Sequence, residues 1–586
     1  MPSLLLILLT LAACAAPPPW AKKPVKTDAP GAPAAGLVDA QVEPINGMVK
    51  MTDRASGRVL LSPAGQPIWS PDEGAPAPQG QSPAAVEIVS KPGGFDAVVR
   101  ITNRTATPMS PGKIAITGFR FGKEVVSRDF RIDGKETTLN HLNRPYTPGG
   151  WFYPDGLYSP VAILGEGDVR VGASLIYPIL EYKHQTRIGV FARRENPGRG
   201  LVWEFSFNLN APGADGRKLS LEGDIPPGET RTYTVAVRAV NSPQAWEQTL
   251  QPYADYFKEK YGGVRYERDP RPVQAFSVAA SGQVGPGNPM GFRQDKLRPD
   301  LHGYGPWAEN ILRSVGLGWK RSMVWAAAGA TEKGQEKNVP LKFSSQWGAG
   351  PGRPARMQDF SQSLQRVGRG GGNLGLWWSR SAMLAVSYDP PTFVPLDPDD
   401  PAQAEAALKD LDAALAAGAT TIGLDAFRNM DIWKAYPWLQ RMQARAPGVK
   451  FVIEPPLGDI MHTLAPCFLL TTRAGEGVMR IETRHYLADM LNPGHETWGF
   501  TRLDRLSSYL KRDITSADVM AEMQRAATLG YVPVASTGAA LDPRLVAAES
   551  WKTHPAPIPD LAADAPAPRR KGFKAKAPED DGFEME

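Results

Sequence analysis

Cysteine is nearly absent from this 586-residue chain, which holds only Cys14 and Cys467. A disulfide framework is thereby excluded, and the fold must rest on an apolar core, for which the length is ample. An excess of one charge is also missing. Against 66 Lys and Arg stand 61 Asp and Glu, a net charge of +5, which argues against a nucleic-acid partner for so long a chain. Beyond the first residues no apolar run reaches the length of a transmembrane helix. Histidine is scarce, and His462, His485 and His495 lack a tight ligand spacing such as His-x-x-x-His with an acid. No metal site and no cofactor is therefore expected. The glycine-rich stretch Gly368-Arg369-Gly370-Gly371-Gly372 has no Lys-Ser/Thr partner and reads as a turn before a strand.

What is present begins with an apolar run from Leu4 to Leu9, followed by Thr10 and Leu11. It has signal-peptide length and is too short for a permanent spanning helix. The tetrapeptide Leu11-Ala12-Ala13-Cys14 resembles the lipobox of bacterial lipoproteins. That resemblance implies a Cys14 that is lipidated and becomes the new N-terminus, anchored stably through two or more acyl chains. Ala15 resembles the residue following the lipidated cysteine in lipoproteins sorted to the outer membrane. The expected location is the cell envelope, on the periplasmic face or the cell surface. The alternative is an ordinary cleaved signal with an unrelated cysteine. With Cys14 lipidated, Cys467 has no disulfide partner and reads as a small buried hydrophobe.

Composition and periodicity divide the rest. Residues 1–14 form the signal and 15–37 a linker rich in Pro, Ala and Lys. Residues 38–242 show short alternating strands, as where Ala97, Val99 and Ile101 interleave with Val98, Arg100 and Thr102. Gly, Pro and Asn punctuate the gaps, so a β-sandwich is expected. Residues 243–270 carry Trp246, Leu250, Tyr253 and Phe257 at helical spacing, a connecting helix that Gly262 ends. Strands and helices then alternate over 271–545. Asp400 caps a helix with Pro401 at its first position, and Thr515 to Asp518 forms a capping box. Such alternation predicts a (β/α)8 TIM-like barrel, giving a multidomain protein with the sandwich first. The seventh barrel strand is placed near Leu487–Leu491. Residues 546–586, rich in Ala and Pro and then in charge, read as a disordered tail.

Barrels of this kind carry their chemistry at the C-terminal ends of the strands. There the sequence sets Trp325 after the second strand, Trp377, Trp378 and Arg380 after the third, Asp425 after the fourth and Glu454 after the fifth. Loops add Asp459, Arg473, Glu476, His495 and Glu496. Aromatic faces stack on sugar rings and carboxylates bind hydroxyls, so the set suits a carbohydrate. A pair of carboxyls can also supply the two groups of glycoside hydrolysis. Each residue has a plainer reading: the tryptophans as barrel packing, and Asp425 and Glu454 as structural or binding carboxylates.

Within the barrel, Gly375-Leu376-Trp377-Trp378, Leu396-Asp397-Pro398-Asp399-Asp400-Pro401, Ile422-Gly423-Leu424-Asp425, Phe451-Val452-Ile453-Glu454 and 466–472 are similar to segments of the α-galactosidase (melibiase) clan of glycoside hydrolases. The resemblance implies that Asp425 is the nucleophile of a retaining reaction on an α-glycoside. It departs at the acid/base position after the sixth strand, where Thr471, Thr472 and Arg473 stand. Glu476 is the best substitute there, ahead of Glu454 and Asp459. Two functions are open: a glycosidase of the envelope, or a catalytically silent carbohydrate-binding lipoprotein on a glycosidase-like barrel.

Overall fold

The computed structural model describes residues 36–537, except for 46–47, 64–66, 73–81, 123, 130–134, 139–150, 195–200, 212–220, 279–303, 327–329, 333–334, 339–359, 379, 389–390, 455–457, 470–472, 475–477, 480–483, 503–505 and 508–509. The signal, most of the linker and the C-terminal tail expected from the sequence lie outside it.

Two antiparallel sheets come first along the chain. One runs in the order Ala40–Ile45, Met48–Asp53, Val59–Leu61, Lys113–Phe119, Leu201–Leu209, Thr186–Arg194, Trp151–Tyr153, with Trp69–Ser70 beside Lys113–Phe119. The other runs Ala84–Lys91, Gly94–Thr102, Thr230–Val240, Val169–Ile176, Val161–Glu166, Val126–Asp129, Lys135–Thr138. The period-2 pattern works as strand geometry requires. Phe95, Ala97, Val99 and Ile101 are fully buried while Arg100 is exposed. They share one apolar core with Phe205, Phe207 and Leu209 of the opposite sheet. A 3-10 turn, Pro243–Leu250, leads into the helix Gln251–Tyr261, and Gly262 stops it at a φ of 76°.

Eight parallel strands then close a barrel. They are Val273–Val278, Arg321–Ala326, Asn373–Trp378, Ala419–Leu424, Lys450–Ile453, Cys467–Leu469, Thr497–Arg502 and Val532–Thr537. The seventh strand departs from expectation. Residues Tyr486–Leu491 form a short helix, and the strand lies further on, at Thr497–Arg502. The apolar Leu487 and Leu491 are four residues apart, which is helical spacing. Asp400 caps the helix Pro401–Ala416 as expected, accepting from the Ala402 and Gln403 N–H groups. Thr515 and Asp518 complete their capping box.

Strand parity sorts the barrel side chains into layers. Val273, Ala275, Met323, Trp377, Val452, Phe468, Trp498, Val532 and Val534 fill the interior. Their neighbours in sequence, such as Leu376, Ile422 and Ile453, face the outer core. Gly423 makes room for this filling, because a Cβ there would stand 2.0 Å from the Trp377 ring. Below the apolar layer, at the strands' N-terminal ends, lies a charged one. Glu496 accepts from Arg321 Nη2 at 2.7 Å, Lys450 Nζ at 2.5 Å, Trp498 Nε1 at 2.6 Å and the Asp269 N–H at 2.8 Å. Burial opposes this charge, yet Arg321, Lys450 and the N–H group hold the carboxyl below its ordinary range.

Removing one partner from this buried cluster leaves the others uncompensated. Glu496→Ala is expected to lower unfolding stability by about 3–5 kcal/mol. Urea denaturation measures it, and a loss under about 1 kcal/mol would show that water reaches the site.

Candidate active site

At the opposite end of the barrel, parity turns two carboxyls inward together. Residues 421, 423 and 425 share one face of the fourth strand, and 452 and 454 one face of the fifth. The ladder runs just past both strands: the Asp425 N–H donates to the Trp378 carbonyl at 3.0 Å, and the Glu454 N–H to the Leu424 carbonyl at 3.0 Å. Asp425 and Glu454 are thus placed by sheet hydrogen bonds as well as by loops. Asp425 is half-buried, whereas Glu454 is only 4% exposed.

The backbone around Asp425 is tightly tied. Its Oδ2 accepts from the Arg380 N–H at 2.9 Å. Its carbonyl accepts from both the N–H and the Oγ of Ser381, each at 2.9 Å. To make these contacts Arg380 adopts a φ of 49° and Ala426 a φ of 50°. Left-handed backbone at residues other than glycine is held only where the surroundings enforce it, and it gathers at functional sites.

The two carboxyls act on each other. Burial pushes Glu454 well above the ordinary carboxyl range, the Asp425 charge and the hydrogen bond between them push the same way, and Arg380 and Arg428 oppose. Glu454 is therefore the carboxyl whose ionisation the site disfavours. Arg428 also lies 4.0 Å from Asp155, a residue of the sandwich. Burial raises the Asp155 carboxyl against the pull of Arg428. Asp431 nearby is raised to about 6 by burial, with Glu222 and Asp155 adding and Lys434 opposing. Nothing in the sequence marks Asp155 as a neighbour of this site, since a sandwich loop carries it there.

The remaining residues expected at the site are placed as follows. Trp377 and Trp378 are 1% and 3% exposed. Trp377 fills the barrel, edge-on to Phe468 at 5.4 Å, and Trp378 packs in the outer core, so neither offers a face to a sugar. Trp325 and Arg473 lie in strands Arg321–Ala326 and Arg473–Ala474, and their side chains are outside the described residues. Glu476 lies outside them altogether.

Asp459, His495 and Glu496 are not brought to this mouth. Asp459 accepts from Tyr153 at 2.8 Å and from Tyr253 at 2.7 Å, a fully buried clasp between the sandwich, the connecting helix and the barrel. Burial raises its carboxyl to about 6 despite those donors. His495 precedes the seventh strand, bonded to Asp489 at 2.9 Å and Thr497 at 2.8 Å within a buried network. Glu496 belongs to the charged layer at the other end. Among the described residues no group of three or more His, Cys, Asp or Glu could hold a metal, and no helix is long and apolar enough to cross a membrane.

No protein-family model matches this chain, and no curated protein matches it in sequence. Solved structures superpose on this chain to differing degrees. A quadruple mutant of the α-N-acetylgalactosaminidase NagBb from Bifidobacterium bifidum superposes with a TM-score of 0.50 at 11% identity, over 88% of this chain and 92% of that one. The α-galactosidase TtGalA from Thermus thermophilus gives 0.39 at 11% identity, over 87% and 99%. A cycloalternan-degrading enzyme from Trueperella pyogenes gives 0.38 at 8%, over 76% and 70%. At 11% identity the likeness to NagBb is one of fold alone.

The raised Glu454 carboxyl has a consequence for stability. Glu454 has a folded value above its unfolded value near 4.5. Its contribution is complete below about pH 4.5 and is lost as pH rises through the folded value. Glu454→Gln is expected to flatten the decline in stability from pH 5 to 9, measured by urea melts across that range. Parallel curves for parent and variant would mean that Glu454 is ionised throughout.

Proposed function

We propose that this chain is an extracytoplasmic, glycoside hydrolase-like lipoprotein that cleaves glycosidic bonds, α-linked ones first, by a retaining carboxylate mechanism. The observation that carries the proposal is the inward Asp425–Glu454 pair at the C-terminal ends of adjacent barrel strands, one carboxyl half-buried, the other buried and raised well above the ordinary carboxyl range. A fold shared with an α-N-acetylgalactosaminidase supports it.

In this mechanism Asp425 attacks the anomeric carbon as the bond to the leaving oxygen breaks. A second carboxyl, assigned to Glu476, gives that oxygen its proton. Water then attacks the glycosyl ester, Glu476 takes the water's proton, and Asp425 departs as carboxylate. Glu454 does not fit the acid's role. A direct hydrogen bond brings it closer to Asp425 than the about 5–5.5 Å that separates nucleophile and acid. Its part is to hold the nucleophile's orientation and to stabilise the carboxylate when Asp425 leaves the sugar. That same closeness favours a second reading, a silent carbohydrate-binding lipoprotein, should Glu476 not reach the bond.

The soluble body, residues 38–545, assayed on aryl glycosides beside Asp425→Asn decides between them. The hydrolase reading expects a loss of about 10³-fold or more in kcat, roughly 4 kcal/mol of transition-state stabilisation. Equal turnover by both proteins would remove Asp425 from the chemistry. Binding without turnover by either would favour the silent reading.

The anchor is tested separately. Full-length protein expressed with a labelled fatty acid is expected to carry the label and to sediment with membranes, and Cys14→Ser to do neither. Labelled Cys14→Ser would place the lipid elsewhere.

A further inference from the structure

We infer that the sugar taken at this site bears a carboxylate, as a uronide does, and that Arg380 receives it beside Asp425. The inference rests on the reading of the Asp425 mouth as a sugar site and deepens it to a substrate class.

Two guanidinium groups, Arg380 and Arg428, stand close enough to Glu454 to act on its carboxyl. Arg428 faces Asp155 across 4.0 Å. Among the described residues Arg380 has no carboxylate within ion-pair distance. Its Nε is buried and makes no hydrogen bond. A buried donor without an acceptor is costly, and in a native site it calls for a missing partner.

Geometry places that cation at the reacting end. The Arg380 N–H is bonded to Asp425 Oδ2 at 2.9 Å, so its side chain departs from a point next to the reacting carboxyl. The backbone accepts a φ of 49° to keep it there. A neutral sugar offers only hydroxyls, each a single-point acceptor for the buried Nε. A carboxylate on the bound ring matches both the charge and the planar fork, and the pairing is a charge-assisted one. Phosphate or sulfate would answer the charge without the planar match.

The test uses the soluble body and paired 4-nitrophenyl glycosides: D-galactosides against D-galacturonides and D-glucosides against D-glucuronides, in both anomers. The parent is expected to favour a uronide over its neutral partner by about 10- to 100-fold in kcat/KM, the range of a hydrogen bond to a charged group. Arg380→Gln should bring that ratio to near one, and Arg380→Lys should retain part of it. If Arg380→Gln does not fold, the parent's ratio and its competitive inhibition by free uronate still decide.

Cleavage of a neutral glycoside at least as fast as its uronide, lost in Asp425→Asn, overturns the inference and leaves the hydrolase reading standing. Arg380-dependent binding of uronate by equilibrium titration, without any turnover, supports the inference and removes the hydrolase. Binding of neither free uronate nor free galactose overturns the inference outright.

Discussion

A closed parallel barrel gives each strand one inward position in every two, and these positions meet in layers. The molecule depends on how those layers are filled. At the N-terminal ends the layer is ionic, with Glu496 gripped by Arg321 and Lys450. In the middle it is apolar, with Trp377, Phe468 and Trp498 as the bulky occupants. At the C-terminal ends it holds Asp425 and Glu454. The apolar layer separates two sets of charge, so the upper pair sits on a dry floor. That floor adds to the burial that raises the Glu454 carboxyl above its ordinary range.

The same alternation explains what the sequence could reveal. Asp425 and Glu454 were legible because each ends a short apolar strand at an inward position, and parity carries them to one mouth. Glu496 was not, because an acid just before a strand and an acid just after one look alike until the strand is located. The strand itself was hard to find: Thr497–Arg502 mixes Thr, Trp, Gly and Arg, while the more apolar Leu487–Leu491 upstream is helical. The tryptophans carried no label for direction. One position of parity separates Trp377 in the barrel from Trp378 outside it, and both are buried. Asp459 was unreadable for another reason: its partners Tyr153 and Tyr253 lie 306 and 206 residues away.

Asp425 and Glu454 also show how position sets chemistry for like groups. Both are carboxyls, and both end neighbouring strands. Glu454 is sealed from water and hydrogen-bonded to the more open Asp425. Arg380 and Arg428 limit how far that asymmetry goes, since each favours ionisation of Glu454. The strained backbone at Arg380 and Ala426 is the structural counterpart, fixing the open carboxylate from two sides.

The Asp459 clasp reaches into this arrangement from the far side. Only four residues separate it from Glu454, and a short helix, Gly458–Met461, carries it. The tyrosines that hold it come from the sandwich strand Trp151–Tyr153 and from the connecting helix. The same sandwich turn supplies Asp155 to Arg428. Sandwich and barrel are therefore not interchangeable cassettes. A barrel transplanted alone would carry a severed Asp459, newly wetted, close in sequence to Glu454. In evolution these two parts would travel as one inheritance, and recombination between them would be selected against at the clasp before it was felt at the site.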